Sequence, residues 1–150
     1  MELETAQSGV VEVKDDQIFN FPKGIPGFED HTSFAVIDLP NSPFTYLQSL
    51  KENAVSLLMA DPFIFYPDYE FDLPEKVVEE LNLGSAFLVR CVLTLNQNIA
   101  DSTINLLAPI VFNLENRMAR QVILHASDYQ SRHPLWPDGH TSFAANKEGE

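Results

Sequence analysis

The chain is 150 residues long, the size of one ordinary domain, and its 45% hydrophobic content with 11 phenylalanines is enough to bury a core, which excludes wholesale disorder. Its 9 basic residues against 22 acidic ones leave a formal net charge of -13, so the surface field repels phosphate backbones and anionic lipid, and direct nucleic-acid binding is not expected. The same acidity serves either plain solubility or a basic protein partner.

The amino end, Met1-Glu2-Leu3-Glu4, carries acids where a secretory signal has a basic start. No stretch approaches the roughly 18 apolar residues of a membrane span, so a cytoplasmic protein with no membrane segment is expected. Strand-length apolar segments then recur between turn residues: Val10–Val13, Ile18–Phe21, Phe34–Leu39, Phe44–Leu50, Val55–Ala60, Ala86–Leu95, Thr103–Ala108, Ile110–Asn113 and Met118–Leu124. Most are continuous apolar runs or loosely alternating ones. They predict an all-β chain, with a compact β-barrel as first choice and a sandwich as second, folded as one domain over residues 1–135 and monomeric when alone.

Between the second and third segments, Pro22-Lys23-Gly24-Ile25-Pro26-Gly27-Phe28 has neither Walker spacing nor a following helix, so two prolines and two glycines describe a rigid double turn. A stiff exposed loop is also a usual place for recognition. One segment reads as a helix near 73–83: Asp72 is placed to cap, Pro74 falls in the first turn, Glu75 lies three residues after the cap, Leu73, Val77 and Leu81 form a stripe, and Gly84 is placed to stop it. Leu114-Glu115-Asn116-Arg117 reads as a hairpin turn between two late strands. After Leu124 the composition shifts to His, Ser, Pro, Gly and charge, which predicts a flexible tail over 136–150, with Leu135-Trp136 as an apolar pair able to anchor it or reach a partner.

Little in the chain points to catalysis. Cys91 is the only cysteine and sits inside an apolar run, so it is expected to pack as a small hydrophobe. Asp68, Glu70, Asp72 and Glu79 fall at positions one, three, five and twelve of a calcium loop, but Leu73 stands where that loop requires glycine. His31, His125, His133 and His140 are scattered, and a metal held by His133, Asp138 and His140 would need the loop between them to curl round an ion. No catalytic, cofactor or metal residue is therefore assigned.

The acids form a pattern instead. Asp68, Glu70 and Asp72 alternate with Tyr69 and Phe71, so burying the aromatics exposes the carboxylates as a row. Glu75, Glu79 and Glu80 continue that row onto the helix, with Lys76 the sole positive charge between 68 and 80. A solvated face accounts for such a row, and a docking surface for a basic protein is the alternative that the net charge favours.

Phe21-Pro22-Lys23-Gly24-Ile25-Pro26-Gly27-Phe28-Glu29, Leu47-Gln48-Ser49-Leu50, Ala60-Asp61-Pro62 with Phe65-Tyr66-Pro67-Asp68-Tyr69-Glu70, Asn105-Leu106-Leu107-Ala108-Pro109-Ile110-Val111 and Gln121-Val122-Ile123-Leu124 resemble, in order, the signature of the FliW family. The resemblance covers about residues 8–135. It implies a bacterial, barrel-like, non-enzymatic flagellar assembly factor that binds CsrA, a small basic RNA-binding repressor, and also binds flagellin. Such a factor holds CsrA away from flagellin messenger RNA, and flagellin competes for it. The candidate partner-binding residues are Asp68, Glu70, Asp72, Glu75, Glu79 and Glu80, with Phe28 in the stiff loop. Two rivals stand beside this reading: a flagellin-specific chaperone, whose surface would be apolar and strand-pairing, and a small-barrel enzyme with two carboxylates in a deep pocket.

Overall fold

The computed structural model describes residues 1–125 and 127–136. Its strands are β1 (Glu2–Thr5), β2 (Gly9–Glu12), β3 (Ile18–Asn20), β4 (Ser33–Asp38), β5 (Phe44–Ser49), β6 (Ser56–Ala60), β7 (Phe87–Thr94), β8 (Thr103–Ile104), β9 (Ile110–Asn113), β10 (Ala119–Gln121) and β11 (His133–Pro134). Two short helices, α1 (Pro62–Phe65) and α2 (Glu75–Leu81), interrupt the series. One sheet runs in the order β10-β9-β7-β6-β5-β4-β3, with β8 and β11 branching from β7. Its two ends meet at a single parallel bridge, Asn20 to Met118, where the Asn20 N–H donates to the Arg117 carbonyl at 2.8 Å. The expected all-β, barrel-like architecture is thus realised as a sheet whose ends touch at one point.

Why the strands read as continuous apolar runs is clear from what covers them. Phe19, Phe21, Phe34, Leu47, Met59, Ile110 and Phe112 fill the interior, with Phe21 edge-on to Phe34 at 5.2 Å. On the outer face of β4 and β5, Ala35, Ile37 and Tyr46 pack under Leu3 and Val13 of the β1–β2 ribbon. Over β9 and β10, Val111, Val122 and Leu124 pack under Val77 and Leu81 of α2. Strands sealed on both faces carry apolar residues at successive positions, which hides the period-two alternation.

Several boundaries differ from those the sequence predicts. The strand expected over Thr103–Ala108 stops at Ile104, because the Asn105 side chain accepts from the Leu107 and Ala108 N–H groups at 3.1 and 3.0 Å and turns the chain out of the ladder. The strand expected over Met118–Leu124 is regular only to Gln121, although Val122 and Leu124 still donate in register to the carbonyls of Pro109 and Leu107. Pro109 has no N–H to return, and the ladder thins there. The Glu2–Thr5 strand and helix α1 have no counterpart in the sequence-based assignment. Asp61 caps α1 by accepting from the Phe63 N–H at 2.9 Å, with Pro62 at its first position.

Helix α2 is shorter than the expected 73–83. Asp72 does not cap it: Pro74 does, in an extended conformation (φ -57°, ψ 140°) with no side-chain cap bond, since a proline bars the residue before it from helical geometry. Nor does Gly84 end it, because Asn82 takes the left-handed cap position (φ 52°, ψ 49°). The hairpin turn expected at 114–117 is present between β9 and β10. From that hairpin the buried Asn113 amide donates to the Leu81 carbonyl at 2.7 Å and Asn116 to the same carbonyl at 3.0 Å. The C-terminal end of α2 is therefore fixed to the hairpin. Leu135 and Trp136 are buried, Trp136 edge-on to Phe65 at 6.4 Å, so this pair anchors the chain to the sheet as one of its two expected roles. The rest of the expected flexible tail lies outside the described residues.

Candidate partner-binding site

The segment that leads from α1 into α2 is held by aromatics. Tyr66 donates its hydroxyl to the Pro134 carbonyl at 2.5 Å, Tyr69 donates to the Leu106 carbonyl at 2.8 Å, and the Glu70 N–H donates to the Tyr129 hydroxyl at 3.1 Å. Tyr69 is buried and meets Tyr129 edge-on at 4.7 Å, while Phe71 is half-buried against both. With the aromatics drawn inward, Glu70 and Asp72 project into solvent on the opposite side. Asp68 is exposed as well, but it sits in a turn closed by the Tyr69 N–H to the Tyr66 carbonyl at 2.9 Å, so the regular alternation starts after it.

Glu70 and Asp72 form one wall of an open depression of about 620 Å³, whose opposite wall is Ile123, Leu124, His125 and Ser127. A second depression of about 390 Å³ continues from it past the shared Pro74, Ile123 and His125 to Gln121 and to Lys23, Gly24, Pro26 and Glu29 of the double turn, and it carries the cations Lys76 and Arg120 as well as Lys23, so the acidic wall belongs to the first depression. The groove thus joins two regions singled out by sequence, the acidic stretch and the Gly24–Phe28 loop. Phe28 itself is half-buried, edge-on to His31 at 5.9 Å, and lines neither depression. Glu75 and Glu79 are exposed on α2 outside the groove lining.

The double turn is built as its residues dictate. The Gly24 N–H returns to the Phe21 carbonyl at 2.8 Å, and the Phe28 N–H to the Ile25 carbonyl at 2.6 Å. Gly27, at φ 91°, follows Pro26 as a type II turn requires. Gly24, at φ 66°, lies so close to the next strand approach that a Cβ would stand 2.6 Å from the Glu29 backbone.

Glu80 behaves differently from the other acids. It accepts from Arg120 of β10 and, at 3.3 Å, from Lys23 of the double turn, and lines a separate depression of about 220 Å³ with Pro22, Leu81 and Met118. The bond from Arg120 holds its carboxyl below the usual value, assisted by Lys23 and opposed by partial burial. Its charge is neutralised within the fold.

Cys91 is fully buried and burial pushes its thiol up to about 12, with the Asp61 charge adding, so it packs as a hydrophobe. Burial likewise holds the Tyr69 phenol above its ordinary value. Among the described residues no three His, Cys, Asp or Glu side chains are grouped to hold a metal. His133 pairs with Ile104 and its Nε2 accepts from the Gln130 N–H at 2.8 Å, while Asp138 and His140 of the weighed metal set lie outside the described residues. No helix among the described residues is long and apolar enough to cross a membrane.

Sequence reasoning missed the opposite wall of the groove. The signal was the Pro109 break in the ladder, which leaves Ile123 beyond the regular strand and 47% exposed.

The class defined by this architecture is a small, mainly β, barrel-like domain with one covering helix and open surface grooves. The model of the FliW family, described as FliW protein, matches residues 2–135. The chain is 42% identical over 146 residues to a flagellar assembly factor FliW of Desulfitobacterium hafniense (strain DSM 10664 / DCB-2), covering 92% of this chain and 93% of that one. It is 40% identical over 138 residues to the flagellar assembly factor FliW of Bacillus subtilis (strain 168), covering 90% and 96%. A crystal structure of the flagellar assembly factor FliW superposes with a TM-score of 0.86 at 34% identity, covering 91% of this chain and 98% of that one. The chain belongs to the FliW family.

Proposed function

We propose that this protein is a cytoplasmic flagellar assembly factor that acts by binding the RNA-binding repressor CsrA and keeping it from flagellin messenger RNA, with flagellin as the competing partner and no catalytic step. The observation that carries the reading is the depression walled by Glu70 and Asp72 on a chain of net charge -13: both face solvent with no ion pair among the described residues, and Glu75 and Glu79 extend the negative field. A basic repressor meets a complementary surface there, and RNA phosphates meet a repulsive one. The chain alone does not bind RNA in this reading.

The test is to add the protein to a preformed complex of CsrA and a flagellin messenger leader at low salt and follow the RNA by gel mobility. Free RNA and a protein–protein complex are expected. A stable ternary complex, or no capture of CsrA, contradicts the reading. One observation favours the flagellin-chaperone alternative: Ile123 offers an exposed apolar side chain beside a strand. Capture of flagellin but not CsrA at every salt concentration would select it.

A further inference from the structure

The groove has an edge as well as walls. The β9–β10 ladder keeps one register from Asn113 and Met118, through Ala119 with Phe112, to Leu124 with Leu107, and its bonds alternate as antiparallel pairs do. Val122 and Leu124 direct their N–H groups to the carbonyls of Pro109 and Leu107. Gln121 and Ile123, between and beside them, therefore direct their backbone groups away from β9. β10 is the last strand of the sheet, and the bridge that ties it to β3 is made at Met118, before these residues. The backbone N–H and carbonyl of Ile123 have no partner among the described residues.

Across the groove stand Glu70 and Asp72, two residues apart and both exposed, on a segment tied down by Tyr69 and Tyr129 with the half-buried Phe71 between them. Alternate side chains of an extended chain lie about 6.6 Å apart, which is the repeat at which a second extended chain presents its own alternate residues. A peptide strand laid on the Gln121–Ile123 edge would then set every second side chain toward this acidic wall, and intervening apolar side chains against Ile123 and Phe71.

We propose that this groove takes an extended, basic segment of a partner protein by strand addition, with backbone bonds to Gln121 and Ile123 and alternate lysine or arginine side chains on Glu70 and Asp72. The proposal rests on the reading of the chain as a binder of a basic protein and names the form of the segment bound. The backbone bonds supply affinity for any extended chain, and the acids select a basic one.

A synthetic six-residue peptide of alternating lysine and valine tests it, titrated at low salt with amide hydrogen exchange read at Gln121 and Ile123. The lysine peptide slows exchange at both amides, whereas a glutamate–valine peptide binds at least about tenfold more weakly. Ile123→Pro removes one edge donor and lowers affinity by about tenfold, the worth of roughly one backbone bond. If that variant melts at a lower temperature, the decision passes to the unaltered protein and two forms of the peptide, one N-methylated on its valines and one on its lysines. One form must then bind about tenfold more weakly than the other. Equal affinity of both methylated forms, protection at other amides, or no peptide binding overturns the proposal. CsrA is titrated in parallel: equal binding to the unaltered protein and to Ile123→Pro overturns strand addition and leaves the functional reading standing, while peptide binding without CsrA binding does the reverse.

Discussion

The two flanks of helix α2 carry acids that the sequence cannot tell apart, and the fold treats them in opposite ways. On one flank, Glu80 is bonded to Arg120 and Lys23, the helix end is bonded to Asn113 and Asn116, and the double turn closes against Gly24. On the other, Glu70 and Asp72, just before the helix, stand in solvent over a groove whose far edge offers unpaired backbone groups, and Glu75 and Glu79 are exposed on α2 outside its lining. A carboxylate bonded inside the molecule holds elements together and has little left for a partner. A carboxylate left free adds like-charge repulsion to the fold and an attraction to any basic protein. Charge bonded inside the molecule makes a joint; charge left free makes the face on which docking is proposed.

Substitutions on the closed flank should therefore cost stability, and those on the open flank should not. The largest loss is expected for Gly24→Ala, which places a Cβ 2.6 Å from the Glu29 backbone at a φ of 66°. A destabilisation of about 3 kcal/mol in urea titration is expected from the combined clash and left-handed backbone. Asn113→Ala comes next, at about 1–3 kcal/mol, because two helix-end carbonyls lose a buried donor. On the open flank, Glu70→Gln with Asp72→Gln should stay within about 0.5 kcal/mol of the unaltered protein. A loss on the open flank equal to that of Asn113→Ala would erase the distinction.

Two smaller effects sharpen it through pH. Glu80 has its folded pKa lowered from 4.5, so its contribution is present above that pH and is lost as pH falls through the lowered value. The melting difference between the unaltered protein and Glu80→Gln should be positive at pH 7 and shrink below about 4.5. His133 lies beneath the open flank, edge-on to Tyr66 at 5.8 Å and to Tyr129 at 6.1 Å, and burial lowers its pKa from 6.5. Its neutral form is favoured in the fold, so stability is complete above 6.5 and declines as pH falls below it. Protonation also removes the acceptor used by the Gln130 N–H. His133→Gln should flatten this decline in melting temperature between pH 7 and pH 5.5, and an unchanged slope would remove the residue from the acid response.

Much of this arrangement can be read from the residues. The apolar runs, the hairpin turn and the proline–glycine double turn follow from local chemistry, and the burial of Tyr69 and half-burial of Phe71 fulfil the condition on which the acidic row depends. What local reasoning misplaces is whatever a distant partner decides. Asp72, two residues before Pro74, does not cap α2, because Pro74 is itself the cap residue, whereas Asp61, directly before Pro62, caps α1. Glu80 reads as one more member of a row until Arg120, forty positions away, is folded against it. The edge at Ile123 is invisible without the register that turns its backbone groups away from β9 and the strand order that puts β10 last.

In the proposed docking, local charge on the open flank, and not the net charge of -13, holds the partner. Titration of CsrA at low salt against two charge-reversed proteins tests it most directly. The first carries Lys at Glu70, Asp72 and Glu79; the second carries Lys at Glu2, Asp15 and Asp16, which are exposed and remote from the groove, so both shift net charge equally. The first should lose at least about tenfold in affinity while the second changes far less, and the gap should close toward 1 M salt, where the screening length is about 3 Å. Equal losses in the two proteins, or full affinity in the first, would contradict the account.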